Sequence, residues 1–302
     1  MPDDTVPRVA MVHACVRDGM GGSPTAVLPE TGLDDATRRA VPVLAGTSHA
    51  VFVATRDVGA EGPEVTLRFF TATGELPACG HGTVAALAHL AERAGGRKYR
   101  ATLRTRERVF TGRAVRDNGR LTAEFTLGPV GLRAPEPGEP EPVLDALGLA
   151  GRTLPGPVRV ASVGRPRLLV PVAARSVLDS LAPDFDRLRA ACDRGGLLGC
   201  YVYTQPTDRT GRLAARMFAP SIGVPEDIAN ANSTGCLAAH LAGTHPAGIA
   251  VDLGDSLGSP STVTATAGPA SRSASARTVS LGGVAIVTGT VRLPAGTGIT
   301  GR

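Results

Sequence analysis

Two apolar segments at helical spacing stand isolated among strand-like runs, and they limit what this chain can fold into. Thr83–Ala94 repeats Val84, Leu87, Leu90 and Ala91 along one face, and Gly95-Gly96 stop it. Ser233–Ala242 is a second apolar helix of the same kind. Each opens after a turn of small residues, Cys79-Gly80-His81-Gly82 in one case and Asn230-Ala231-Asn232 in the other. Helix-poor sequence surrounds both. Val9–Val16, Thr25–Leu28, Ala50–Ala54, Val65–Phe70, Tyr99–Arg104, Arg108–Val115 and Leu121–Leu127 read as strands. Leu33–Val43 reads as a helix with Asp34-Asp35 in its first turn. Beyond a Pro/Glu-rich linker at Arg133–Pro142, the recipe repeats. Val158–Val163, Leu168–Val172, Leu198–Thr204, Leu213–Phe218, Ile249–Leu253, Val263–Thr266, Thr278–Leu281 and Val284–Leu293 read as strands, with a helix ending over Asp186–Ala191 and a flexible hairpin tip at Ala267–Ala276. The pattern is an α+β chain of two halves, each placing one buried helix among many strands, although no sequence identity between the halves is visible.

Composition narrows the function classes. Trp is absent, so the core must come from Val, Leu, Ile and Ala. No stretch approaches a membrane span, and the N-terminus lacks the basic and apolar parts of a signal peptide, so no membrane partner and a cytoplasmic address are expected. The net charge of +5 comes from scattered Arg without interleaved aromatics, which argues against a nucleic-acid partner. Lys98 is the only lysine and lies in a polar link, which disfavours Schiff-base chemistry. Five cysteines without C-x-x-C spacing support neither a disulfide framework nor a structural zinc site.

The chemistry concentrates at the helix starts. Backbone N–H groups there attract anions, and Cys79 and His81 set a thiol and an imidazole beside them. A small-molecule carboxylate is the expected ligand. Four ordered motifs then resemble the PhzF-like (phenazine biosynthesis) family, which shares the diaminopimelate epimerase fold. Gly21-Gly22-Ser23-Pro24-Thr25-Ala26-Val27 is similar to GGNPAAV. Leu67–Thr71 through Cys79-Gly80-His81-Gly82-Thr83 is similar to R-F-T-P-x-x-E-x-x-x-C-G-H-A-T. Arg216-Met217-Phe218-Ala219-Pro220, Gly223, Glu226 and Asp227 resemble R-x-F-x-P…G-x-x-E-D, and Gly258-Ser259-Pro260-Ser261 resembles G-R-P-S.

The resemblance implies two pseudosymmetric barrel-like domains, each around a central helix, with the active site between them, no cofactor, and a homodimer. The expected domains are 1–127, with 284–302 returning to it, and 128–283. It implies proton transfer on a small carboxylate by a cofactor-independent isomerase, moving a double bond in a cyclic or unsaturated amino acid of bacterial specialised metabolism. An amino-acid racemase or epimerase and a catalytically inactive binding homologue are the alternatives.

Residue by residue, His81 matches the family His and Asp227 the family Asp. The usual catalytic Glu falls at His49, within Ser48-His49-Ala50-Val51-Phe52-Val53, and the family's T-G-S Ser is replaced by Asn232. An imidazole with an ordinary pKa of about 6.5 keeps acid–base competence while changing the charge. The expected catalytic residues are therefore His49, His81 and Asp227, the three meeting in one crevice. The expected substrate-binding residues are Gly22, Ser23, Cys79, Gly80, Gly82, Asn232, Ser233 and Thr234. For His81 and Asp227 the competing readings are helix and turn capping, and for Cys79 a pocket wall. A two-thiol mechanism is disfavoured because Cys236 lies inside the second helix. No metal is assigned: a three-imidazole set of His13, His49 and His81 lacks supporting carboxylate–His spacing. Glu75 is expected to be structural.

Overall fold

The computed structural model describes residues 8–59, 62–206, 210–270 and 277–293. The chain divides into two compact units, Met1–Thr126 with Gly282–Arg302, and Leu127–Leu281. The first unit runs β1 (Arg8–Ala14), β2 (Ser23–Pro29), α1 (Asp35–Ala45), β3 (His49–Asp57), β4 (Pro63–Phe70), β5 (Glu75–Leu76), α2 (Gly80–Ala94), β6 (Lys98–Arg104), β7 (Val109–Asp117) and the start of β8 (Arg120–Arg133). The second runs from the end of β8 through α3 (Glu141–Ala146), β9 (Arg159–Ser162), β10 (Pro166–Val172), α4 (Arg175–Asp179), α5 (Phe185–Arg194), β11 (Cys200–Thr204), β12 (Arg212–Ala219), β13 (Val224–Asp227), α6 (Ala231–Leu241), β14 (Ile249–Leu253) and β15 (Ser261–Ala270). Strand β16 (Arg277–Arg292) returns the chain to the first unit, where it pairs with β1.

The two units share one wiring. In the first, β1–β2 is antiparallel, β2–β3 parallel across α1, β3–β4 antiparallel, and β4–β6 parallel across α2. In the second, β9–β10 is antiparallel, β10–β11 parallel across α4 and α5, β11–β12 antiparallel, and β12–β14 parallel across α6. Short β5 pairs with β4 as short β13 pairs with β12. Parallel neighbours require a crossover, and a helix supplies each one. The resemblance between units extends to side chains. Arg68 clamps Glu75 with two bonds of 2.9 and 2.8 Å, and Arg216 clamps Glu226 with two of 2.8 Å. Each guanidinium also lies over the Phe two residues on, Phe70 at 5.1 Å and Phe218 at 4.9 Å. Such planar forks fix the short strand to its neighbour. Glu75 is thereby accounted for structurally.

Helix α2 is buried from Gly80 to Ala88 and again at Leu90 and Ala91, and it packs on β1, β2, β3, β6 and β7. Nearly half of its residues are Ala or Gly, which lets strands approach from several sides, as befits a helix buried along most of its length. Gly95 ends it at φ 68°, a left-handed conformation that glycine adopts without strain. Helix α6 is buried over most of its length as well, and it packs on β15 and β9. Helix α1 differs: it starts on an Asp34 cap that accepts from the Thr37 N–H, and it buries one stripe. Its Arg38 is buried against Phe52 and Phe70 and pairs with Glu30 and Asp35.

Several expectations shift. The Cys79–Gly82 segment expected as a turn is already helical from Gly80, because the Thr83 N–H and hydroxyl both bond back to the Cys79 carbonyl. The linker expected over Arg133–Pro142 shrinks to 134–140: β8 extends through Arg133, and Glu141-Pro142 begin α3, where Pro is tolerated in a first turn. The two expected strands from Thr278 to Leu293 are one strand, β16. Of the hairpin tip expected at Ala267–Ala276, residues to Ala270 continue β15, and 271–276 lie outside the described residues. Helix α4 and strand β13 carry no periodic signal and were not anticipated. No helix among the described residues is long and apolar enough to cross a membrane.

Candidate active site

His49 is the first residue of β3, opposite Thr25 of β2, and is 4% exposed. The loop before it holds the ring: Ser48 Oγ lies 2.8 Å from Nδ1, and the Thr47 hydroxyl donates to the His49 carbonyl at 2.9 Å. His81 sits in the first turn of α2, 2% exposed. The two imidazoles meet edge to face, with ring centroids 4.4 Å apart and planes at 81°. Cys79, at the N-cap of α2 and 6% exposed, brings its Sγ to 3.3 Å from His81 Nε2. Three expected site residues from two sequence segments thus converge in one buried cluster.

Small residues make this approach possible. A methyl group on Gly82 would lie 3.0 Å from Cys79 Sγ, 3.0 Å from Phe69 Cδ1 and 3.1 Å from Val51 Cγ2. Gly82 therefore shapes the cluster by what it lacks. Gly22 has φ +79° and stands where a Cβ would come within 2.8 Å of both the Ala14 carbonyl oxygen and Val16. Its neighbour Ser23 carries a buried Oγ without a hydrogen-bond partner. His13 is held by the same turn, Nδ1 at 2.9 Å from the Gly21 carbonyl oxygen.

The remaining expected residues belong to the second unit. Asp227 ends β13 and accepts from Asn230 Nδ2 at 2.8 Å. Asn230 in turn caps α6, its Oδ1 accepting from the Ser233 N–H at 2.9 Å. Asn230 was missed as a site-shaping residue, although an Asn three residues before a Ser at a helix start is a capping signal. Asn232 lies one turn position inside α6, with a buried Oδ1 that has no hydrogen-bond partner. Ser233 and Thr234 are fully buried and engaged: Ser233 Oγ is 3.4 Å from Arg167 and from Met217 Sδ, and Thr234 Oγ1 is 2.7 Å from Tyr201 Oη. Ser261 Oγ donates to the Ile228 carbonyl at 2.7 Å, tying the Gly258–Ser261 motif to this turn.

Arg167 is the other residue that sequence reasoning passed over. It is 2% exposed, its bonds run to the Ser233 hydroxyl and to the Val163 and Arg165 carbonyls, and its Nε is buried without a partner. An Arg directly before the apolar run Leu168–Val172 was the available signal. Cys236 is buried within α6, and burial pushes its thiol pKa up, which suits packing and not proton abstraction. Burial likewise raises the Tyr201 phenol.

Comparison with known proteins supplies the family. The phenazine biosynthesis-like protein model matches residues 12–290. The chain is 31% identical over 227 residues to the uncharacterized isomerase YddE of Escherichia coli, covering 73% of this chain and 74% of that one. It is 30% identical over 299 residues to the trans-2,3-dihydro-3-hydroxyanthranilate isomerase of Pseudomonas aeruginosa, covering 93% and 98%. The fold matches the Bacillus anthracis phenazine biosynthesis protein of the PhzF family with a TM-score of 0.80 at 19% identity, over 95% of this chain and 99% of that one. With the repeated wiring, the C-G-H helix start and matches over most of its length, the chain belongs to the phenazine biosynthesis-like (PhzF) family of isomerases, on a diaminopimelate epimerase-like fold.

Proposed function

We propose that this protein is a cofactor-independent isomerase that moves a proton between carbons of a small cyclic or unsaturated amino-acid carboxylate in bacterial specialised metabolism, with His49 as the proton carrier. The observation that carries this reading is the buried edge-to-face pair of His49 and His81 at the start of α2. A neutral imidazole accepts a proton from an activated carbon near neutral pH without the upward tuning a carboxylate needs. The electron pair left on carbon moves into the adjoining double bond, and the proton returns at its far end. Two imidazolium ions in one buried contact would repel strongly. That suits a single-proton shuttle, with His81 the assisting partner.

The substrate carboxylate is assigned to the N–H groups of the Gly80–Gly82 segment, with Gly22, Ser23 and Cys79 as further pocket residues and Asn232 as a further substrate contact; the Ser233 and Thr234 N–H groups, expected to share in this, are already bonded to Asn230 and are not assigned to it. Asp227 assists by orienting Asn230 and through it the α6 start. The name of the P. aeruginosa relative supplies the first substrate to try.

The test is incubation with trans-2,3-dihydro-3-hydroxyanthranilate and related unsaturated amino acids in deuterated water, followed by NMR. Double-bond migration with deuterium at the new carbon supports the proposal. Deuterium only at a stereocentre, without bond migration, makes the protein a racemase instead. An activity unchanged in His49→Ala removes His49 from the chemistry.

A further inference from the structure

Among the described residues, His49, Cys79 and His81 form a group whose candidate ligand atoms, two imidazole nitrogens and one sulfur, all lie within 4.8 Å of one another. One pair, Cys79 Sγ and His81 Nε2, is 3.3 Å apart. A tetrahedral zinc ion with bonds of about 2.0–2.3 Å sets its ligands about 3.3–3.8 Å from each other. Closing this cluster on an ion therefore needs only small side-chain adjustments. All three residues are buried, at 4, 6 and 2% exposure, which limits hydration of the ligands. Ser48 Oγ stands 2.8 Å from His49 Nδ1, the kind of oxygen partner that fixes a metal-bound imidazole by its second nitrogen. Replacing a carboxylate by His49 turns a hard oxygen donor into a nitrogen donor beside a thiol, which favours borderline and soft ions over Mg²⁺ or Ca²⁺.

We propose that His49, Cys79 and His81 form a binding site for a Zn²⁺-class ion with one coordination position left open, and that occupancy switches off proton transfer. On binding, the Cys79 thiol loses its proton to solvent and three lone pairs are committed to the metal. Those of His49 and His81 are then unavailable to a carbon-bound proton. The binding claim stands on geometry alone, whereas the inhibitory consequence rests on the isomerase reading above.

The experiment is a Co²⁺ titration of metal-stripped full-length protein under a thiol-free reductant. One equivalent should produce a thiolate-to-cobalt charge-transfer band with the strong visible bands of a tetrahedral site, and Zn²⁺ should bleach both. Cys79→Ser should lose the charge-transfer band. His49→Gln and His81→Gln should each weaken binding about 10-fold or more. Cys192→Ser, on α5, should change nothing. No band in the wild type, or a band that survives Cys79→Ser, overturns the proposal. If a variant fails to fold, the wild-type melting temperature decides: a rise with Zn²⁺ but not Mg²⁺ supports the site, and an unmoved midpoint overturns it. Because the spectrum needs no substrate, a protein that is inactive when metal-stripped and still develops the band on Co²⁺ addition would count against the isomerase reading and leave the site standing.

Discussion

The starts of α2 and α6 occupy the same place in the two repeats and have been finished differently. At position four of each helix a Thr hydroxyl bonds back to the cap carbonyl, Thr83 to Cys79 and Thr234 to Asn230. There the likeness stops. Asn230 caps α6 with its side chain and is itself gripped by Asp227, while Ser233 and Thr234 are tied to Arg167, Met217 and Tyr201. Cys79 makes no side-chain cap, and the second position of α2 is His81 against His49. One helix start spends its polar side chains on stability. The other places titratable and nucleophilic groups there, and in the proposed function its dipole faces the substrate carboxylate.

The sharpest way to break this contrast is substitution at the two second positions. His81→Gln is expected to cut turnover by about 10²–10⁴-fold, the usual range for loss of a general acid–base group. Asn232→Ala should instead raise KM with a smaller change in kcat, since it is assigned to binding. Steady-state kinetics in parallel separates the two, and equal effects on kcat would erase the distinction. Helix glycines come next. Gly82→Ala presses on Cys79, Phe69 and Val51 and should cost about 10-fold or more in activity by displacing the cluster. Gly235→Ala meets only the tips of Leu127 and Leu281, and its overpacking of about 1–2 kcal/mol is partly offset by helix propensity. It should leave kcat alone.

Capping gives a smaller difference. Asn230→Ala should destabilise by about 1 kcal/mol, seen in urea unfolding, whereas Cys79→Ala removes no cap. The least effect concerns pH. His89 on α2 and His240 on α6 both have pKa values lowered, chiefly by burial. The unfolded chain then takes up protons near pH 6.5 that the folded chain refuses, so stability is present above that pH and declines as pH falls through the folded values. His89→Gln and His240→Gln should each flatten the decline between pH 7 and 5, and an unchanged slope would show that neither ring matters.

Sequence periodicity revealed α2 and α6 because a helix surrounded by strands must be apolar over most of its surface, as Val84 to Leu90 are. The C-G-H segment was legible as a candidate site, since a His and a Cys two residues apart beside glycines have few structural reasons to occur together. Other features were not legible. Arg167 sits in a run whose neighbours are apolar, and only the fold shows that its guanidinium reaches Ser233, 66 positions away. The Cys79–His49 proximity depends on the registers of β4 against β3 and of β5 against β4, which sequence pattern alone does not specify. The short strands β5 and β13 owe their existence to Arg–Glu forks instead of to any β-rich run.

The most direct test of the account compares deuterium delivery from solvent into product by wild type and His49→Gln, at matched folding by circular dichroism and with His81 intact. A fall of at least about 100-fold in the variant is the predicted result. Undiminished delivery would contradict the claim that the imidazole at the head of β3 moves the proton.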